Sequence, residues 1–336
     1  MDAQINWSQA QYDTYGTRPQ VASHGFAESP LFTDAGLEAL LDDFPRHELQ
    51  AFTMGSNPED PSDWGCVHTG DLSGAELLAA VRKGALWLNL LWVERFNREY
   101  AELLDTMYQQ LSARIPRLQG YREPHLTLLI SSPNAQVYYH FDAEDNMLWH
   151  VRGEKTIWLF DEALRREAPP QIVEDIFAGT RSEELPFKRS FESRAMRCDL
   201  QPGDVASWPH NTPHRIENAD SLNVSLSTSV ITPLSERRWL THCANRWLRS
   251  EFGDRNWRID ETGLRPMLKR NAYRVMRRVG RIKPEPHPEY VARWRMSPDA
   301  ERGMVALDPP ERTAFCSVAK AQMSPAERDR FLLQTT

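Results

Sequence analysis

The sequence is poor in the residues that staple a small secreted fold. Its 336 residues include four cysteines, Cys66, Cys198, Cys243 and Cys316, widely separated and without a CxxC pair. That excludes a disulfide framework and points to a reducing compartment. Cys66 and His68 form a lone C-x-H with no second half, so no zinc site is expected there. Long apolar runs are missing as well. The most apolar stretch, 85–93, is broken by Asn89 and falls far short of the ~20 residues of a membrane span. The N-terminus, MDAQINWSQAQYDTYGTRPQ, lacks the basic-then-apolar layout of a signal peptide. Nor is there an overall excess of positive charge. Forty Lys and Arg against 47 Asp and Glu leave −7, which argues against a chain that coats nucleic acid over its whole surface. No internal repeat or low-complexity tract occurs. The expectation is a soluble, cytoplasmic protein without a membrane partner.

What is present is unevenly distributed. The length suits one large domain or two modest ones, and ten His and eleven Trp direct attention to metal or aromatic-lined sites. Residues 1–120 read as a mainly helical region. Ser73 followed by Glu76 is a capping box, and the helix it opens should end near Gly84. A second helix is expected over about 93–113, where Phe96, Tyr100, Leu103, Leu104, Met107 and Leu111 recur at helical spacing. Residues 121–232 change texture. Short runs at 126–130, 136–141, 156–160, 205–208 and 222–230, with turn chemistry between most of them, predict a β barrel or sandwich. A charged, partly helical insertion at 161–195 interrupts it. Residues 233–336 read as a basic, mainly helical region ending in a Pro-rich stretch. Within it, residues 237–295 hold 16 Lys and Arg against 6 Asp and Glu, a net of +10 that leaves −17 for the rest. Such a block marks an anionic partner, a self-association surface or a solvated helix face.

The chemistry is concentrated in Tyr138-Tyr-His140-Phe-Asp142. In a strand, residues i and i+2 point to one face, so His140 and Asp142 could reach one metal ion. Composition alone predicts roughly 10 × 47/336 ≈ 1.4 H-x-[DE] triplets, and there are two. The second, His287-Pro288-Glu289, lies in the Pro-rich stretch, and its proline cannot donate to a strand ladder. Lys155 follows His140 by fifteen residues and would share a strand face with Ile157 and Leu159. A lysine on so apolar a face requires an anion, unless it snorkels to water. Further on, Pro202-Gly203-Asp204 is a turn, and His214 begins the next strand-like run, closing a two-His, one-carboxylate set suited to non-haem Fe(II). His210 is the rival third ligand but sits within a turn.

With these residues in place, the sequence resembles the JmjC-type, cupin-like branch of the Fe(II)- and 2-oxoglutarate-dependent oxygenases. HFDAEDNMLWHVRGEKTIWLF is similar to that family's H-x-D followed by Asn, Gly and Lys, here Asn146, Gly153 and Lys155. PGDVASWPHNTPHRIEN is similar to its second motif, which ends on the distal His, here His214. The likeness is greatest to the asparaginyl-hydroxylase-like protein hydroxylases and covers about residues 126–231. It implies an α+β fold with a mainly β core, a double-stranded β-helix (cupin or jelly roll) flanked by N- and C-terminal helices. It also implies Fe(II) on His140, Asp142 and His214, with no catalytic residue beyond these ligands. Lys155 would bind the cosubstrate 2-oxoglutarate, with Asn146, Tyr138 and Thr127 as further cosubstrate contacts.

The implied reaction hydroxylates a substrate C–H bond and releases succinate and CO2. The substrate would be a protein, a peptide or a small molecule. The C-terminal helices would pair two copies, as in relatives, and nucleic acid is the lesser partner. Two departures stand out. Relatives often place Thr or Ser three residues before the first His, where this chain has Val137, and Asn on the last core strand, where it offers Ser227 or Ser229. The alternatives are a cupin dioxygenase working without 2-oxoglutarate, and a cupin-like metal-binding regulatory protein that contacts a macromolecule through its basic C-terminal region. Tyr138, Trp149, Trp158 and Trp208 are candidate pocket aromatics, each equally suited to the core.

Overall fold

A computed structural model describes residues 4–55, 57–60, 64–253, 257, 259–283 and 291–312. The front of the chain alternates strands and helices: β1 (Ile5–Asn6), α1 (Gln9–Thr14), β2 (Gln20–His24), α2 (Asp34–Asp43), β3 (Leu49–Thr53), β4 (Gly65–His68), α3 (Gly74–Lys83), β5 (Leu86–Leu90) and α4 (Arg98–Ser112). The centre begins with β6 (Arg122–Ser131), β7 (Gln136–His140), β8 (Asp145–Arg152) and β9 (Lys155–Phe160). The short helices α5 (Glu162–Glu167) and α6 (Pro170–Phe177) follow, then β10 (Ala195–Leu200), β11 (Asp204–Ser207), β12 (His214–Asn218) and β13 (Asn223–Ile231). Helices α7 (Pro233–Phe252) and α8 (Leu264–Arg278) lead to a hairpin of β14 (Val291–Met296) and β15 (Met304–Arg312). His287 and Cys316 lie outside the described residues. Among those described, no helix is long and apolar enough to cross a membrane.

Local chemistry sets the helix ends. Ser73 and Glu76 form the expected reciprocal capping box, and α3 stops at Lys83 before Gly84. Helix α4 starts five residues later than its periodicity suggests. Asn97 caps it by accepting from the amides of Glu99 and Tyr100, and Val93–Arg95 form a separate 3-10 turn.

Two sheets face each other across the middle of the molecule. The larger runs β1-β2-β11-β8-β13-β6-β5-β3-β4-β14-β15, and the smaller β10-β9-β12-β7. Their inner faces meet in a jelly-roll core. Leu148 and Ala206 from the large sheet pack with Ile157, Leu159, Cys198, Leu200 and Ile216 from the small one. The alternation of β6 divides its side chains. Leu126, Leu128 and Ile130 join the layer of front helices, while Leu129 packs with the barrel interior. The insertion and the C-terminal helices cover the outer face of the small sheet, where Tyr139, Phe160, Ile176, Phe177, Leu240 and Tyr273 share one cluster.

The front region is more β-rich than its helical periodicity suggests. Its five strands extend the edges of the large sheet, and β5 pairs with β6 through Leu88 and Ile130. These strands are short and gain their partners from distant sequence, so no local alternation announces them. The C-terminal region departs in the same way. Its hairpin joins the large sheet through β14, which runs parallel to β4.

Gly153 makes the tight turn between β8 and β9. Its φ is +83°, and a β-carbon there would lie 2.5 Å from the Leu222 carbonyl oxygen and 2.8 Å from Asn223 Cγ. Gly153→Ala is therefore expected to cost about 1–3 kcal/mol of stability, read as a lower urea midpoint. An unchanged midpoint would show that the turn relaxes around the methyl group.

Candidate metal centre

Strands β7 and β12 lie antiparallel and set His140 directly opposite His214, with ring centroids 4.1 Å apart. His140 Nδ1 is 2.8 Å from the Tyr138 carbonyl oxygen, and His214 Nδ1 is 3.0 Å from that of Thr212. A carbonyl only accepts, so each Nδ1 carries the hydrogen and each Nε2 presents a lone pair. These lone pairs converge on one carboxylate. His140 Nε2 is 4.0 Å from Asp142 Oδ1, and His214 Nε2 is 3.6 Å from Asp142 Oδ2. One ligand atom from each of the three residues lies within 4.8 Å of the others.

The donor set fits a divalent cation. Asp142 Oδ2 is buried and accepts no hydrogen bond, so two imidazole lone pairs and an orphaned oxygen surround one point that a metal would satisfy. Burial pushes the Asp142 carboxyl up. It lowers both histidines to about 4, for His140 with help from the neighbouring His214. At neutral pH both imidazoles are thus unprotonated and ready to ligate.

Asp142 does not reach the site by strand alternation, as the sequence suggests, because β7 ends at His140. A loop holds it instead. Asn211 Nδ2 donates to the Asp142 carbonyl at 2.5 Å, and His210 Nε2 donates to that of Ala143 at 2.9 Å. Arg238, on α7, braces both by donating to the His210 carbonyl at 2.8 Å and to Asn211 Oδ1 at 3.2 Å. His210 is therefore a support for the metal-bearing loop and lies outside the ligand group.

The three ligands border a cavity of about 510 Å3. Thr127 and Asn146 line it, with Val137, Ser227 and Ser229 beside them. Asn146 Nδ2 donates to Ser227 Oγ at 2.8 Å and to Ser229 Oγ at 3.2 Å, so amide and hydroxyls form one polar wall.

Tyr138 lies beside the metal ligands, its ring 5.4 Å from that of His140, but outside the cavity lining. The ladder pairs His214 with His140 but Ile216 with Val137, so three residues of β7 span two of β12. This bulge lets both Val137 and His140 face the cavity. Tyr138 is not among the lining residues and instead packs edge-on against Trp64, with centroids 5.3 Å apart. Of the other aromatic candidates, only Trp208 lines the cavity. Trp149 is fully buried and donates to Thr228 Oγ1 at 2.9 Å, and Trp158 carries the Arg215 guanidinium 3.7 Å above its ring.

Lys155 is buried at 5% exposure, on the same strand face as Ile157 and Leu159. It does not line the 510 Å3 cavity. Its register partners are Leu200 and Asn218, while His214 pairs with Leu159 further along β9. Burial alone lowers its pKa to about 7.

Several lining residues carried no signal in the sequence. Trp87 and Trp92 come from the front region. The insertion returns to the metal-bearing strand, where the Leu185 amide donates to the Tyr139 carbonyl at 2.8 Å and Glu184 bridges His140. This places Glu183 in the cavity wall, and burial, reinforced by the Asp142 and Glu144 charges, raises its carboxyl to about 8. Glu144 in turn faces His125 Nε2 at 3.2 Å.

Residues 92–228 match the family described as the cupin-like domain. Two curated relatives, both called tRNA wybutosine-synthesizing protein 5, align over 95 residues: the Danio rerio protein at 32% identity and the Homo sapiens protein at 36%. The alignments take in 25% and 24% of this chain and only 27% and 28% of the relatives' lengths. Among solved structures, Escherichia coli ycfD has a TM-score of 0.48 at 15% identity, over 82% of this chain and 68% of its own. A complex of the same ribosomal oxygenase with cobalt and 2-oxoglutarate has a TM-score of 0.46 at 14% identity, over 82% and 67%. A cupin superfamily protein from Desulfitobacterium hafniense has a TM-score of 0.21 at 16% identity, over 32% and 67%.

Proposed function

From a chain that carries a cupin-like domain over residues 92–228, we propose an Fe(II)- and 2-oxoglutarate-dependent oxygenase that hydroxylates a C–H bond of a protein or peptide side chain. The observation that carries this reading is the two-His, one-carboxylate group on the wall of an open cavity. Three protein ligands on one side of a metal leave positions for exchangeable ligands, which is the arrangement of non-haem iron oxygenases. Fe(II) held there, with 2-oxoglutarate and O2, supplies oxidative decarboxylation to succinate and CO2, and with it the capacity to oxidise a C–H bond.

The protein's own residues do the rest. His140, Asp142 and His214 hold the metal. The carbonyls of Tyr138 and Thr212 fix the imidazole tautomers, and His210 and Asn211 hold the carboxylate loop. Asn146, Thr127, Ser227 and Ser229 offer polar contacts along the cavity wall. Lys155, buried on β9 four residues from the position that pairs with His214, is the cation to meet the distal cosubstrate carboxylate. Trp87 and Trp92 from the front region and Glu183 from the insertion complete the cavity wall beside the metal group.

The test is succinate release with Fe(II), 2-oxoglutarate and a peptide library, leaving out each component in turn. Succinate is expected only when metal and cosubstrate are both present, and more of it with a substrate peptide. Tight metal binding with no succinate under any condition would leave the regulatory-protein alternative standing.

A further inference from the structure

Away from the metal centre, a second cavity of about 190 Å3 opens between the end of α6, helix α7, helix α8 and the turn after it. It falls within the block of net charge +10. Four cations converge on it, Arg246 from α7, Arg277 from α8, and Arg281 and Lys283 from the turn, against one carboxylate, Glu251. The walls are fixed. Arg246 Nε meets Asp175 Oδ1 at 2.7 Å, and Trp239 Nε1 donates to the Phe177 carbonyl at 2.8 Å, tying α7 to α6. Arg281 and Lys283 are exposed and make no ion pair with a described residue.

Arg246 is already paired with Asp175, so the charge left for an anion with several acceptor oxygens is that of the exposed Arg281 and Lys283. The remaining wall discriminates between anions. Trp239, Trp247 and Tyr273 line the same cavity, and aromatic rings beside arginines take the π-face of a base, which an acidic peptide does not have. A double helix could not seat a base against such a wall, because its bases are stacked inside.

We propose that this cavity binds one nucleotide unit of a single-stranded nucleic acid, its phosphate among Arg246, Arg277, Arg281 and Lys283 and its base against the neighbouring aromatic side chains. The site stands independently of turnover at the metal. It lies on the same helix as Arg238, which braces the Asp142 loop. Residues 239–251 extend from there for about 18 Å along α7. A strand docked in this cavity therefore runs beside the helix that supports the metal-bearing loop.

The experiment uses the full chain and fluorescent 12-nucleotide RNA and DNA of mixed sequence, with anisotropy measured at 50 and 200 mM salt. Neutralising about one phosphate should make binding weaken by roughly 2- to 3-fold over that range. Arg281→Glu with Lys283→Glu should weaken it at least tenfold and flatten the salt dependence. Arg265→Glu with Arg278→Glu makes the same charge change on exposed residues of α8 outside the cavity, and should have little effect. Thermal melting and metal binding of both doubles should match the parent. Equal losses in the two doubles would reduce the effect to net charge and overturn the site. Polyglutamate binding as tightly as the oligonucleotides would assign the surface to an acidic protein instead. Inorganic phosphate binding with no gain from an oligonucleotide would leave only a small-anion site. A preference between RNA and DNA would identify which nucleic acid it serves.

Discussion

Replacing His214 by alanine is expected to abolish tight Fe(II) binding, whereas His210→Ala retains it. Both histidines are buried, both have pKa values lowered to about 4, and both lie in the same segment of sequence. Their bonding separates them. His214 commits Nδ1 to the Thr212 carbonyl and turns Nε2 toward Asp142, while His210 spends Nε2 on the Ala143 carbonyl. Losing His214 leaves two ligands and an orphaned carboxylate oxygen. Losing His210 only loosens the loop that carries Asp142, a second-tier effect of about 10–100-fold in affinity. Anaerobic calorimetry with Fe(II), repeated with Co(II), measures both variants. Metal retained by His214→Ala and lost by His210→Ala would reassign the third ligand.

The legible parts of this site are those whose chemistry is written at fixed spacing. His140, Asp142 and His214 are recognisable because they recur in two linked motifs, and the burial of Lys155 follows from simple alternation with Ile157 and Leu159. What alternation misses is local irregularity. One extra residue in β7 brings Val137 to the cavity and turns Tyr138 away, and no residue type in Gln136–His140 announces a bulge. Strand β8 was hidden for another reason. It begins with Asp145-Asn146, which reads as turn chemistry, and becomes a strand through pairing with β13 and β11. Strand β10, with the sequence AMRCDL, is an edge strand whose short inner face, with Cys198 and Leu200 in the core, is masked in the sequence by Arg197 and Asp199 on the other face. Glu183, Trp87 and Trp92 reach the cavity from segments separated from the motifs by whole elements, so only the tertiary fold can place them.

On the proposed reading, Lys155 is the residue outside the metal ligands whose loss should cost the most. Among the described residues lining the 510 Å3 cavity there is no Lys or Arg, while Asp142, Glu144 and Glu183 all face it. A dianionic cosubstrate entering such a space depends on the metal's charge at one end and on a cation at the other. From the His214 level of β9 to Lys155 is four residues, about 13 Å of strand, a span for a lysine stem and a five-carbon diacid to share.

Lys155→Met is therefore expected to weaken 2-oxoglutarate binding by about 2–5 kcal/mol, with metal binding unchanged. The pH dependence carries a definite sign. Burial holds the Lys155 pKa at about 7 in the free protein, and a bound carboxylate would raise it. Binding must then take up a proton above pH 7, and affinity should fall by roughly tenfold per unit between pH 7 and 9. In Lys155→Met that slope should vanish.

Stability should move the other way. Between pH 7 and ~10.4 the unfolded chain holds a proton that the folded protein lacks, so the parent gains stability as pH rises through that window. The methionine variant, relieved of a buried ammonium, should gain most over the parent below pH 7. Calorimetric titration with 2-oxoglutarate on the Co(II) protein, together with urea melts at matched pH, reads both effects. A parent whose affinity is flat with pH, or a variant that binds the cosubstrate as tightly as the parent, would remove Lys155 from the site.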